Sequence, residues 1–329
     1  MKTKLSIIAA VYNVEKYIRP CIESIFQQDL DETFFEVIIV NDGSTDKSIG
    51  VIADIIKQHS NIVVINQENQ GLSVARNNGI AMAKGEYVLM LDSDDMLIEN
   101  SIYPLLVKGL ETKADLIVAD FLSMNDEEME NYQGVTQNPI EFKEKSGEQV
   151  FLEDLNPNQC YVWRTLYRRE FILKEQLAYI PKISYEDIPY IHECYLKAKK
   201  CLRTHQLIYI YRRGRQGAIT SSYDIKEAHH FCTAIAKTWE LRRLPELSPA
   251  VLCKLNDNVY TLFSLMIYKS LYTFNDFSFL KNIIDDLKQK APDLYFRHGI
   301  KQKIETFLFC SVPHFYIYLR MLHWKWIMR

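Results

Sequence analysis

Gly85-Glu86-Tyr87-Val88-Leu89-Met90-Leu91-Asp92-Ser93-Asp94-Asp95 is the stretch from which the fold can be read. Its apolar run, Tyr87 to Leu91, has the length and composition of a buried strand, with Gly85 as a stop signal just before it. The carboxylates therefore emerge at the carboxyl end of a central strand, the edge where open α/β sheets bind their ligands. Alternate residues of an extended backbone point the same way, so Asp92 and Asp94 can share one target. Hard oxygens at one point suit a divalent cation that keeps several waters and takes further ligands from a diphosphate. The competing reading is a helix N-cap, because Asp95 precedes a helical stretch from about Glu99. A calcium loop does not fit, since the turn glycine and the later bidentate Glu are missing.

Strand and helix patterns alternate around this segment. Strands are expected at Leu5–Val11, Glu36–Val40, Asn61–Asn66 and Asp115–Ala119, with helices at Glu15–Gln28, Asp46–His59 and Ser73–Lys84. Alternation at this pitch predicts βαβ units and a mostly parallel sheet covered on both faces. Ser123–Lys145 breaks the pattern with acidic and polar residues and reads as a surface excursion. Order returns at Tyr161-Val162-Trp163, then a helix over Ile188–Lys199 and a strand around Leu207–Tyr211. Beyond Asp224 only helical periodicity remains, in four or five segments broken near Pro245, Pro249, Phe274, Pro292 and Pro313. The expected domains are thus a catalytic α/β region over 1–223 and a helical region over 224–329.

Composition narrows the class. The 329 residues are 48% hydrophobic and 25% charged, as in a globular protein, and a net charge of -3 argues against a nucleic-acid binder. Seven cysteines, without a C-x-x-C, suit reduced thiols in a cytosol. His192 and Cys194 continue into no metal-ligand spacing and read as ordinary helix residues. Met1-Lys2-Thr3-Lys4 lacks signal-peptide anatomy, and no apolar stretch reaches the roughly 20 residues that span a bilayer.

Four further segments could carry chemistry. Asn41-Asp42-Gly43-Ser44-Thr45-Asp46 follows the second strand as a turn and helix cap, yet Asp42 could also accept the ring N–H of uracil or guanine while Tyr12 offers a flat face to the base. Arg76, on the first turn of the helix opened by Gly71-Leu72-Ser73, stands where the dipole disfavours a cation, so an anionic partner is expected: a neighbouring Asp or a phosphate. Asp187 in Ser184-Tyr185-Glu186-Asp187-Ile188-Pro189 opens a helix, where cap and general base are compatible roles. Tyr211 to Thr220, with three arginines and two glycines, suits either a solvated basic loop or a lid over a diphosphate.

In order, these segments resemble glycosyltransferase family 2, the inverting nucleotide-sugar enzymes of GT-A fold. The matching pieces are Ser6–Asn13 (SIIAAVYN), Val40–Asp46 (VNDGSTD), Asn69–Gly79 (NQGLSVARNNG), Gly85–Asp95, Val162–Phe171 (VWRTLYRREF) and Tyr185–Pro189 (YEDIP), and the resemblance runs from Leu5 to Thr220. It implies an α/β fold with a GT-A type, Rossmann-like sheet, followed here by an all-helical C-terminal region. It also implies Asp187 as catalytic base, Ala10, Tyr12, Asp42, Arg76, Asp92 and Ser93 around the nucleotide, and Asp92 and Asp94 as ligands of Mn2+ or Mg2+. The donor would be a UDP-sugar, with GDP as the alternative, and the acceptor a glycan or lipid-linked hydroxyl in bacterial surface polysaccharide synthesis. Ala10 stands where many relatives carry proline, and Ala218 where relatives often have serine. A sugar nucleotidyltransferase would instead show a G-x-G-T-R-type loop after the first strand, which is missing. An inactive binding homologue is the other rival, opposed by the intact Asp94 and Asp187.

The tail lies outside the resemblance. Arg297, Lys301, Lys303, Arg320, Lys325 and Arg329 accompany a single carboxylate side chain, Glu305, among Phe307, Phe309, Phe315, Tyr316, Tyr318, Leu322, Trp324 and Trp326. This pattern fits either a segment lying at the inner face of the cell membrane or aromatic core of a helical subdomain.

Overall fold

The computed structural model describes residues 3–215, 223–274, 276–296 and 299–327, the side chains of 325–327 excepted. The expectations for Gln216 to Thr220, Ala218 included, and for Arg297, Lys325, Trp326 and Arg329 lie outside what is described. The chain divides into two compact units: Met1–Val150 with Tyr161–Lys182 and Lys197–Ala218, and Phe151–Cys160 with Ile183–Leu196 and Ile219–Arg329. The second unit thus takes in two stretches that precede residue 224.

The first unit is built on a sheet. Its strands are β1 (Leu5–Val11), β2 (Phe35–Asp42), β3 (Ile62–Gln67), β4 (Tyr87–Asp92), β5 (Met96–Leu97), β6 (Leu116–Met124), β7 (Lys143–Lys145), β8 (Thr165–Arg168) and β9 (Cys201–Arg212), in the order β3-β2-β1-β4-β8-β6-β9-β5, with β7 also on β9. The first four are parallel, as the alternation predicts. β8 then enters antiparallel between β4 and β6, so the sheet is mixed. Its four residues are too short for a period-two signal. β6 and β9 outrun their expected spans, and part of the polar excursion forms the short helix α5 (Asp126–Glu130) and strand β7.

Helices α1 (Ile18–Ile25), α2 (Ala53–Gln58), α3 (Leu72–Met82), α4 (Ile102–Thr112), α6 (Gly147–Glu153) and α7 (Arg169–Lys174) complete the described helices up to residue 182. Two of them cover opposite faces. Gly79 of α3 packs so closely on Ile8 that a Cβ would lie 2.3 Å from its Cγ2, whereas Gly109 of α4 sits against Tyr87 and Ile117. Tyr87 is in register with Leu5, three residues from Ile8 and hence on the other face of the pleat. The strands between are fully buried, with Ile7, Val37, Ile39 and Leu89 at 0% exposure.

The second unit is helical beyond residue 224: α9 (Ile225–Glu240), α10 (Pro249–Thr273), α11 (Phe277–Lys290), α12 (Gly299–Ser311) and α13 (Pro313–Ile327). Three starts are capped by side chains. Asp224, Ser248 and Asp276 accept from the amides of Glu227, Val251 and Phe279, and Pro249 fills the first position of α10. The buried positions of α9 and α10, among them Phe231, Ile235, Val259, Phe263 and Met266, recur at helical spacing. Phe263 is enclosed by Phe296, Phe309 and Tyr316, at 5.2, 5.2 and 6.2 Å between ring centroids. Helix α8 (Asp187–Lys197) contributes His192, which is fully buried beside Phe151 and Cys160. The His192 ring is neutral by its partners: Nδ1–H donates to the Ile188 carbonyl at 2.8 Å, and Nε2 accepts from Asn258 at 3.2 Å.

Burial lowers the His192 pKa from its ordinary 6.5 to about 4. Below pH 6.5 the unfolded chain takes up a proton that the native ring refuses, so this stabilisation is complete above 6.5 and is lost as pH falls toward 4. Between pH 7 and 5 the loss should reach about 2 kcal/mol. Urea unfolding of the wild type and of His192→Gln at both pH values should show a smaller acid loss in the variant by about that amount. Equal losses would place the pH dependence elsewhere.

Candidate active site

The carboxyl ends of β1, β2 and β4 lie side by side, because Ala10 is in register with both Val40 and Asp92, and Val11 with Asn41. The loops beyond them are sewn together. Asn13, which adopts φ 51°, accepts from the Thr45 amide at 2.9 Å, and Asp46 accepts from the Glu15 amide at 3.0 Å. Gly43 is required between them: its φ is +73°, and a Cβ would meet the Asn69 amide at 2.8 Å.

Asp42 is nearly buried beneath this edge, whereas Tyr12 is 48% exposed. The Asp42 carboxylate accepts from Gln67 Nε2 at 2.7 Å, the Gln70 amide at 2.8 Å and the Gly71 amide at 2.9 Å. It therefore clamps the loop between β3 and α3, an occupation the sequence did not announce. A carboxylate offers about four lone-pair positions, and these three donors fill three of them.

Arg76 is the fifth residue of α3, one position beyond the first turn expected for it, and is 2% exposed. Of the two anionic partners expected, the structure shows the Asp: Nη2 donates to Asp92 Oδ1 at 2.7 Å. The guanidinium also lies 5.2 Å from the Tyr179 ring centroid. Asp94 pairs with Arg215 Nε at 2.7 Å. Burial first, and then the charge of Asp92, push the Asp94 carboxyl up, while Arg215 pulls it down. Ser93 is buried between them.

Asp95 is not a helix cap; Ser101 holds that place before α4. Its carboxylate, 1% exposed, accepts from the Tyr209 hydroxyl at 2.8 Å and the Arg212 amide at 2.7 Å. The same hydroxyl accepts from the Asp92 amide at 3.0 Å. Arg212 also donates from Nε to the Asp94 carbonyl and lies over Tyr17, as does Arg215. Burial, reinforced by Asp94 and Asp92, raises the Asp95 carboxyl well above its ordinary range. Sequence reasoning missed Tyr209 and Tyr17; the alternation of Leu207, Tyr209 and Tyr211 in β9 was the available signal for the first.

Arg76, Asp92, Asp94 and Asp95 are thus brought together in the first unit, at the same sheet edge as Asp42, Tyr12 and Ala10. Asp187 belongs to the second unit as the first residue of α8, with Pro189 in that helix's first turn. The segment before it is anchored there. Ser184 donates its amide to His230 at 3.1 Å and its hydroxyl to Glu227 at 2.7 Å, and Tyr185, at φ 65°, stacks on Phe231 at 4.4 Å. Among the described residues no group of three or more His, Cys, Asp or Glu side chains is arranged to enclose a metal ion.

Known proteins place this geometry. The family model described as glycosyl transferase family 2 matches residues 6–173, just over half of the chain. Glycosyltransferase GlyA of Streptococcus pneumoniae is 32% identical over 242 residues, covering 71% of this chain and 34% of that protein. The chain therefore spans about a third of the length of that relative. Among solved structures, S. aureus TarS 1-349 in complex with UDP-GlcNAc superposes with a TM-score of 0.74 at 19% identity, covering 98% of this chain and 92% of that one. The mannosyltransferase PcManGT of Pyrobaculum calidifontis, in complex with GDP-Man and Mn2+, gives 0.56 at 14% identity, over 98% of this chain and 88% of that one. These two likenesses carry the fold, a GT-A type sheet. The motifs, the sheet edge they share and the family match lead to one conclusion: the chain belongs to glycosyltransferase family 2.

Proposed function

We propose that this chain is an inverting glycosyltransferase that moves a sugar from a nucleoside diphosphate sugar to a hydroxyl of a glycan or lipid-linked acceptor, in the synthesis of a surface polysaccharide. The observation that carries the reading is the convergence of Arg76, Asp92 and Asp94 at the strand edge that also holds Asp42. Donor chemistry is supported by TarS, solved with UDP-GlcNAc, and by PcManGT, solved with GDP-Man, which keeps GDP as the alternative to a favoured UDP.

Each residue then has a task. Tyr12 offers its exposed ring to the base, and Asp42, with its remaining lone pair, accepts the ring N–H of uracil or guanine. Ala10 and Ser93 leave room for the nucleotide beside them. Arg76 balances negative charge at Asp92 and at the diphosphate. Asp92 and Asp94 would hold a divalent ion, since the burial and the Asp92 charge that raise the Asp94 carboxyl favour a positive charge nearby. When bound, Mn2+ or Mg2+ supplies positive charge to the leaving diphosphate. Asp187 takes the proton of the acceptor hydroxyl, which attacks the anomeric carbon opposite the leaving group and inverts it.

The last two helices support peripheral contact with a membrane at its inner face, and hence a cytoplasmic chain. They divide their aromatic residues. Phe309, Tyr316 and Trp324 are buried as core, while Ile304, Phe307, Phe315, Tyr318 and Leu322 are exposed beside Lys301 and Lys303. No described helix is long and apolar enough to cross a membrane. Apolar and basic residues side by side suit an anionic lipid surface.

Three outcomes are expected. Asp94→Asn should weaken Mn2+-dependent binding of UDP by roughly tenfold or more in calorimetry, and unchanged affinity would remove the metal role. Asp187→Asn should leave UDP binding intact and cut turnover by roughly 10²–10⁴-fold; turnover near wild type would leave Asp187 as a cap alone. Replacing Phe307, Phe315 and Leu322 together by Ser should abolish salt-sensitive binding to phosphatidylserine vesicles with little change in melting temperature. A wild type that ignores such vesicles at low salt would refute the membrane assignment.

A further inference from the structure

Five aromatic residues of the first unit form one wall beside the acidic cluster. Trp163 lies flat on Tyr209, with centroids 4.1 Å apart and planes 9° from parallel, and Tyr161 stacks on Trp163 at 4.7 Å. Tyr211 lies 5.5 Å from Tyr161 and 5.6 Å from Trp163, and Phe121 meets Tyr161 and Trp163 edge-on at 5.3 and 4.9 Å. Sheet register accounts for this. Phe121 and Tyr209 are paired across β6 and β9, and Tyr211, two residues on, shares the face of Tyr209. The inner rings, Trp163 and Tyr209, are buried, whereas Phe121, Tyr161 and Tyr211 are partly exposed. Through the Tyr209 hydroxyl the wall joins Asp92 and Asp95 directly.

The charge around this wall selects among ligands. Asp120 engages both Arg164 and Arg203, Asp126 engages Arg212, and Glu128 engages Arg213, within the acidic run Asp126 to Glu130. These nearby guanidinium groups are already paired, so an anionic chain gains little here and meets carboxylates. A pyranose ring is a different case. One face carries C–H bonds that the negative face of an aromatic ring attracts, and its rim of hydroxyls donates to carboxylates.

We propose that Tyr161, Tyr211 and Phe121 form a pyranoside-binding platform that seats a ring of the acceptor beside the Asp92–Asp95 cluster. The inference rests on the glycosyltransferase reading and sharpens it: the acceptor presents a neutral ring sugar, not an acyclic polyol phosphate. Stacking orients the ring and so distinguishes one sugar stereoisomer from another.

Saturation-transfer NMR on the full chain with saturating UDP and Mg2+ tests this, using the methyl β-pyranosides of glucose, galactose and N-acetylglucosamine, and ribitol 5-phosphate, as separate probes. At least one pyranoside should show saturation concentrated on its ring C–H protons, and ribitol 5-phosphate should show none. Tyr161→Ala should weaken the signal by about fivefold, the worth of one aromatic face, and Tyr161→Phe should retain it. UDP affinity, measured in parallel by calorimetry, should stay the same in both variants. Pyranoside binding unchanged in Tyr161→Ala and in Tyr211→Ala, or a preference for ribitol 5-phosphate, would overturn the platform. UDP binding without any pyranoside binding would do the same and leave the donor reading standing. Failure of the wild type to bind UDP would remove both.

Discussion

A carboxylate with almost no access to water, Asp95, fixes the geometry on which the rest of the candidate site depends. It accepts from the Tyr209 hydroxyl and the Arg212 amide, so it ties β9 to the end of β4 although β8 and β6 stand between them in the sheet. The hydroxyl also receives the Asp92 amide. One phenol thereby sets both the start and the end of the acidic segment. Burial first, and then the charges of Asp94 and Asp92, raise the Asp95 carboxyl, while the bonds from Arg212 and Tyr209 pull it down. Asp92 and Asp94 are paired at their carboxylates with Arg76 and Arg215.

Much of this was legible in the sequence, for physical reasons that differ from element to element. Leu5–Val11 matched its expected bounds because a strand buried on both faces is a mostly apolar run, here with Ser6 as its one polar residue. The helical tail was legible through its punctuation, since the breaks near Pro249, Phe274 and Pro313 are local signals that need no tertiary contact. β8 was not legible, because four residues between two strands owe their conformation to neighbours rather than to their own pattern. The role of Asp42 as a clamp was likewise hidden. Its partners, Gln67, Gln70 and Gly71, lie more than 20 residues away and become partners only when β2 and β3 pair. The anionic partner of Arg76 was foreseen as a class, and its identity required the sheet.

The aromatic residues show how one composition serves two ends. In the tail, Phe309, Tyr316 and Trp324 turn inward while Phe307, Phe315 and Tyr318 remain outside, although the two sets interleave in sequence. Helical spacing permits both, and only packing on Phe263, Tyr268 and Tyr272 sorts them. Around Trp163 the sorting is by strand register instead, which brings Phe121, Tyr209 and Tyr211 onto one face.

The interleaved connectivity of the two units has a consequence for the birth of the protein. β9 closes the first unit yet lies more than 80 residues after β6, its parallel neighbour, with residues 151–160 and 183–196 of the second unit in between. During synthesis the Rossmann-like strands can pair as they emerge, but Asp92, Asp94 and Asp95 are then a repelling cluster with no Tyr209 to order them. Pairing at such sequence separation is slow, and edges left open meanwhile invite wrong partners. The step that completes the first unit is therefore also the step that orders its acidic segment, so a chain stalled before β9 would carry the fold's beginning without the Tyr209 tether.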